Sequence, residues 1–187
     1  MTEEPSVTSD SLFVRFHGRP AEGVPRPIRL AAYATTLVVL PSCLWRLAFG
    51  VFDLPISERP AGGSGDGPGG MPGWLYMIVL SLVSEALAFL TVGLVSRWGE
   101  EVPRRVPGLG GRRIPVLAAV IPAALGAAAL IAISALYFLA LEPTPAFRET
   151  FPHRWQLGLL YACYAPLLAW GPLLAVVTVA YYRRRTA

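Results

Sequence analysis

The chain has 187 residues, of which 54% are hydrophobic and only 15% charged, and its formal net charge is +4. Soluble domains carry about 25% charged residues, so this composition, with a mean hydropathy of +0.51, excludes an ordinary soluble fold. The positive charge is not a nucleic-acid footprint either, because the basic residues gather beside apolar runs, as the positive-inside bias of membrane proteins requires.

Four apolar runs, 30–52, 74–96, 115–141 and 155–182, each reach the roughly 20 residues that cross a hydrocarbon core of about 30 Å. The fold expected is therefore all-α, an integral membrane bundle of four transmembrane helices over 27–187, preceded by a tail over 1–26. All sixteen basic residues are arginine. With the N-terminus cytoplasmic, twelve fall on the inner side, three fall outside and Arg46 alone lies within a span. This places both termini in the cytoplasm of a cell whose plasma membrane holds the protein. The absence of Lys and Asn, with heavy use of Ala, Gly, Pro and Arg, points to a high-GC bacterial gene.

Residues 1–26 are polar and contain Pro5, Pro20 and Pro25, which reads as a mobile tail, with Leu12, Phe13, Val14 and Phe16 suited to rest on a bilayer surface. Arg26 and Arg29 anchor the first span, and Pro41 near its middle withdraws one backbone hydrogen bond, so a kink is expected there. The sequence Leu40-Pro41-Ser42-Cys43 loosely mimics a lipoprotein cleavage box. Three features oppose cleavage: a preceding polar segment too long for a signal peptide, Pro41 beside the cut, and apolar sequence that continues through Phe52. The first outer loop contains a Gly-rich run over 61–70 with the composition of a flexible tether.

The second span runs from Trp74 to Ser96, and an inner loop with Arg97, Arg104, Arg105, Arg112 and Arg113 follows. In the third span Ala119, Ala123 and Ala127 recur at i+4, as do Ala124, Ala128 and Ala132. Small residues let helices approach closely, so this span is expected at the centre of the bundle. The fourth, with Pro166 and Pro172, ends in Tyr181-Tyr182 and three arginines.

The strongest candidate for chemistry is a pair of intramembrane charges. Glu85 is central in the second span, and Arg46 lies about five residues, or roughly 7 Å, outward of the middle of the first. Each costs about 2.5–3.5 kcal/mol if left exposed at the helix centre. Ser81, Ser84, Glu85 and Ala88 share one helical face, as do Thr35, Val39, Ser42 and Arg46. These residues are either a structural ion pair that fixes helix register, or a place for a ligand headgroup, an ion or a proton relay. The five inner-loop arginines either anchor topology or grip phosphates of lipid headgroups or a cytosolic partner.

Other chemistries find little support. Gly108-Leu-Gly-Gly-Arg112 lacks the spacing and the Lys-Ser/Thr of a P-loop. His17 and His153 fall on opposite sides of the membrane, and no span holds two acidic residues, so neither a metal nor a cofactor is expected. Cys43 and Cys163 read as packing residues.

The segment from Gly93 to Pro115 (GLVSRWGEEVPRRVPGLGGRRIP) resembles a loop of uncharacterised multi-pass membrane proteins of high-GC Gram-positive bacteria. The resemblance implies membrane class and lineage, and carries no catalytic residue across. The function expected is a non-enzymatic membrane component that binds or assembles with a lipid, another membrane protein or a second copy of itself. Alternatives are a small transporter or permeation subunit using Glu85 and Arg46, and a lipid-modifying enzyme.

Overall fold

The computed structural model describes residues 21–52, 54, 66–101, 111, 113–139 and 149–187. It is an all-helical bundle with four helical segments long and apolar enough to cross a membrane. Helix α1 spans Arg26–Gly50, α2 Gly73–Gly93 and α3 Val116–Leu139. The fourth segment, Arg154–Thr186, consists of α4 (Arg154–Tyr164), a tighter 3-10 stretch over Ala165–Ala169, and α5 (Trp170–Thr186). Pro166 lies in the first positions of that stretch, where its missing N–H excludes it from a regular α ladder. By contrast, α1 runs unbroken through Pro41. Asp66–Gly67 (β1) pairs antiparallel with Met71–Pro72 (β2), so part of the expected Gly-rich tether is a tight clip, its turn made by Gly69 and Gly70 in the left-handed region, which glycine enters without steric cost. The rest of that tether, the tail over 1–20 and the loop residues Arg104, Arg105 and Arg112 lie outside the described residues.

Packing follows a row. Helix α1 packs along both α2 and α5, and α5 packs along α3, while no comparable interface joins α2 to α3. The main core joins Ala32, Val92, Val95, Ala127, Leu174, Val177 and Tyr181. The third span is therefore at the edge of the bundle and not at its centre. Between Val116 and Leu136 only Ala127 is buried, and Leu117, Ile121, Leu125, Ile133 and Leu136 all face outward. One alanine row does serve close approach: Ala119 and Ala123 pack with Ala127 on the core, and Gly171 of α5 lies so near Ile131 that a Cβ would come within 2.8 Å of its side chain. The second row, Ala124, Ala128 and Ala132, is exposed. A helix apolar on all sides carries no periodic signal to say which face is covered.

The arginine-rich end is closed by a polar clamp. The 3-10 turn Arg97–Gly99 folds under α2, with Trp98 stacked on Phe89 at 5.6 Å between ring centroids. Arg184 pairs with Glu100 and donates to the Leu94 carbonyl at 3.3 Å, and Arg185 lies 3.6 Å from the same carboxylate. Tyr181 Oη donates to Gly99 O at 3.4 Å, and Arg185 donates to Ile114 O at 3.2 Å. The Ala21 N–H reaches Val95 O at 2.9 Å. A Cβ on Gly99 would lie 2.0 Å from the carbonyl oxygen of Gly93. Gly99→Ala is expected to displace the turn and destabilise the protein by about 1–3 kcal/mol, the range for overpacking, read as a lower thermal midpoint in detergent. An unchanged midpoint would show that the turn does not hold this end together.

Candidate functional site

The α1–α2 interface carries a polar seam through an otherwise apolar contact. Its α1 face is Thr35, Val39, Ser42 and Arg46, all buried, with Arg46 8% exposed. Its α2 face is Ser81, Ser84 and Ala88, also buried, with Glu85 partly buried beside them. The two stripes expected from helical spacing do face each other. Thr35 Oγ1 to Ala88 O (3.3 Å) and Cys43 Sγ to Ser81 O (3.7 Å) fix the antiparallel register.

In that register Arg46 and Glu85 are offset by seven residues, roughly 10 Å along the axis. Helical side chains lean toward their own N-terminus, and in antiparallel helices these leans converge. Arg46 turns back to give Nη2–H to Ser42 Oγ and Cys43 Sγ, both at 3.3 Å. Its guanidinium and the Glu85 carboxyl interact through space, and the Cys43 thiol is near enough to interact with both. No direct ion pair joins the two charges, and Glu85 Oε1 has no hydrogen-bond partner. Cys43 is a member of the site that sequence reading had assigned to packing. Its i−3 relation to Arg46 was the one available signal. It is buried within an unbroken helix, and both cysteines are free thiols.

Most hydroxyls here satisfy themselves locally. Ser42 donates to Val39 O at 2.8 Å, Ser84 to Leu80 O at 2.7 Å and Thr35 also to Ala32 O at 2.6 Å. Among the described residues five buried side-chain atoms have no protein partner: Arg184 Nη1 in the clamp and four at the seam, Arg46 Nε, Ser81 Oγ, Glu85 Oε1 and, packed against it, Trp170 Nε1. Buried polar groups without partners cost about 1–3 kcal/mol each, and native structures hold few of them. Two N–H donors, a hydroxyl and a carboxylate oxygen in one seam form a complementary set for a polar guest.

Arg46 is also in the wall of a cavity of about 240 Å³ at the end of the bundle opposite the arginine clamp, with Trp45, Phe49, Phe151, Tyr161 and Tyr164. Met77 of α2 and Leu160 of α4 complete it. Trp45, Phe49 and Phe151 form a ring cluster with centroid separations of 5.7–6.2 Å. The aromatics come from α1, the residues before α4, and α4 itself, so no local sequence pattern announces the cavity.

The inner-loop candidates separate. Arg97 pairs with Glu22, and Arg113 lies 3.9 Å from Glu101, both largely exposed. Arg97 and Arg113 therefore have protein partners, as do Arg184 and Arg185, which sequence reading took only as a cationic stop. Among the described residues no cluster of three metal-ligating side chains occurs.

The fold and seam define a class: an all-helical bundle with four membrane-length segments and a buried polar seam. Comparison of the chain with protein-family models, curated proteins and solved structures finds no match.

Replacing Arg46 by Gln leaves Glu85 without a nearby cation and is expected to cost about 2.5–3.5 kcal/mol, the insertion cost of an uncompensated charge. Accumulation of Arg46→Gln in membranes should fall, and adding Glu85→Gln should restore it. Failure of the second change to rescue the first would mean that the two charges are not coupled.

Proposed function

We propose that the chain is a polytopic integral protein of the plasma membrane, with both termini cytoplasmic, and that it is a non-enzymatic component whose work is to bind a lipid or partner. The arginine distribution supports the orientation, since Arg26, Arg29, Arg97, Arg113, Arg183, Arg184 and Arg185 all gather at one end of the bundle. The resemblance of the segment 93–115 to multi-pass proteins of high-GC Gram-positive bacteria agrees with this class.

The observation that carries the binding reading is the set of unpartnered buried polar atoms in the α1–α2 seam. A seam that served only to set register would gain by satisfying them or by replacing them with apolar groups. An occupant with a polar group accounts for their retention. The exposed row of Ala124, Ala128 and Ala132 on α3 gives assembly with another membrane helix a suitable packing face. A second reading, a small transporter or permeation subunit, is favoured by the cavity that opens beside Arg46.

Two measurements test this proposal. Alkaline phosphatase fused after Arg185 should be inactive, whereas fusion after Gly67 should be active, and activity after Arg185 would overturn the orientation. Purification with native lipids and neighbours, followed by mass spectrometry, should show a copurifying molecule at near-stoichiometric amount that is lost from the Arg46→Gln, Glu85→Gln double variant. Retention of every copurifying species by that variant would remove the seam from the binding reading.

A further inference from the structure

The aromatic cavity and the seam meet at one residue. Arg46 is more than nine-tenths buried, lines the cavity, and has an Nε–H with no acceptor. Its Nη2 contacts place the guanidinium at the level of Ser42 and Cys43. That level is seven or eight residues from Gly50, so the charge lies roughly 10 Å below the end of α1.

Depth and chemistry together narrow the occupant. A phospholipid lying in the leaflet keeps its phosphate at the membrane surface, outside a hydrocarbon core of about 30 Å, and so presents only acyl chain at the level of Arg46. A quaternary ammonium suits a cluster of aromatic faces, but the guanidinium in the wall repels it. Free inorganic phosphate has nothing to gain from Trp45, Phe49 and Phe151. A volume of about 240 Å³ is below the roughly 300–1,000 Å³ of pockets for drug-sized ligands, so the occupant is small. What remains is a molecule that carries an anion inward and leaves an apolar body among the rings. A carboxylate is planar and matches the guanidinium fork through two parallel N–H···O bonds.

We propose that this cavity is a binding site for a small amphiphilic carboxylate, taken head-first from the outer side, with its carboxylate on Arg46 and its apolar body against Trp45, Phe49, Phe151 and Tyr161. The proposal rests on the binding reading given above and names its ligand class. Glu85 acts as a competitor for the Arg46 charge, so removing its charge strengthens the site.

The test uses the full chain in nanodiscs of zwitterionic lipid, with radiolabelled octanoate in equilibrium dialysis and empty nanodiscs subtracted. Saturable octanoate binding is expected. Octanol, with the same tail and no charge, should compete at least about tenfold more weakly, as the loss of a charge-assisted contact requires, and octyltrimethylammonium and inorganic phosphate should not compete. Glu85→Gln should bind octanoate as tightly as the unaltered chain or more tightly. Arg46→Lys should retain part of the affinity, and the Arg46→Gln, Glu85→Gln double variant, chosen because it should accumulate, should lose about tenfold or more. Equal competition by octanol, or full binding by the double variant, would reduce the cavity to a slot for acyl chain and overturn the proposal. A copurifying molecule that depends on the seam but is displaced by phosphate or the ammonium, and not by octanoate, overturns the ligand class and leaves the binding reading standing. Absence of any seam-dependent ligand in both experiments defeats the two together.

Discussion

A polar group in hydrocarbon must find its partner inside the protein, because water is not there to supply one. That constraint governs most of what this bundle does. The backbone meets it by being helical. The span hydroxyls meet it by folding back on their own helices: Thr91 donates to Leu87 O, Thr178 to Leu174 O, and Ser42 and Ser84 behave alike. Against that background the unpartnered atoms of Arg46, Ser81, Glu85 and Trp170 stand out as a departure from the rule. Departures of this kind are where function is usually found in such proteins.

The two ends of the bundle solve different problems. At the arginine-rich end Glu100 gathers Arg184 and Arg185, while the Leu94 and Ile114 carbonyls accept from the same guanidiniums. This ties the end of α5 to the turn after α2 and to the entry of α3, three segments distant in sequence. At the opposite end aromatic rings pack together, with Trp45 and Phe151 buried, and the cavity opens among them.

Cys43 shows how the register turns separate features into one site. Its thiol gives a weak bond to the Ser81 carbonyl and accepts one from Arg46. The helix-to-helix contact and one of the Arg46 contacts therefore share an atom. A shift of α1 against α2 by even one residue would break the Cys43–Ser81 and Thr35–Ala88 contacts and leave the Arg46–Cys43 contact, which lies within α1, in place.

Much of the architecture was written in the amino-acid sequence. The four membrane-length segments, the stripes Thr35–Val39–Ser42–Arg46 and Ser81–Ser84–Ala88, and the gathering of arginines at one end all follow from composition and a 3.6-residue period. Hydrophobicity sets length, and periodicity sets faces wherever a face is polar. Only the tertiary structure decided what lay beyond that. It put α3 at the edge, because a helix apolar all round has no face to read. It broke the fourth segment at Pro166 and left α1 whole through Pro41, since whether a proline interrupts a helix depends on its neighbours as well as its ring. It also brought Cys43 to Ser81, and Phe151 to Trp45, because meetings between distant residues depend on register and on which helices pack, and neither quantity has a local signature.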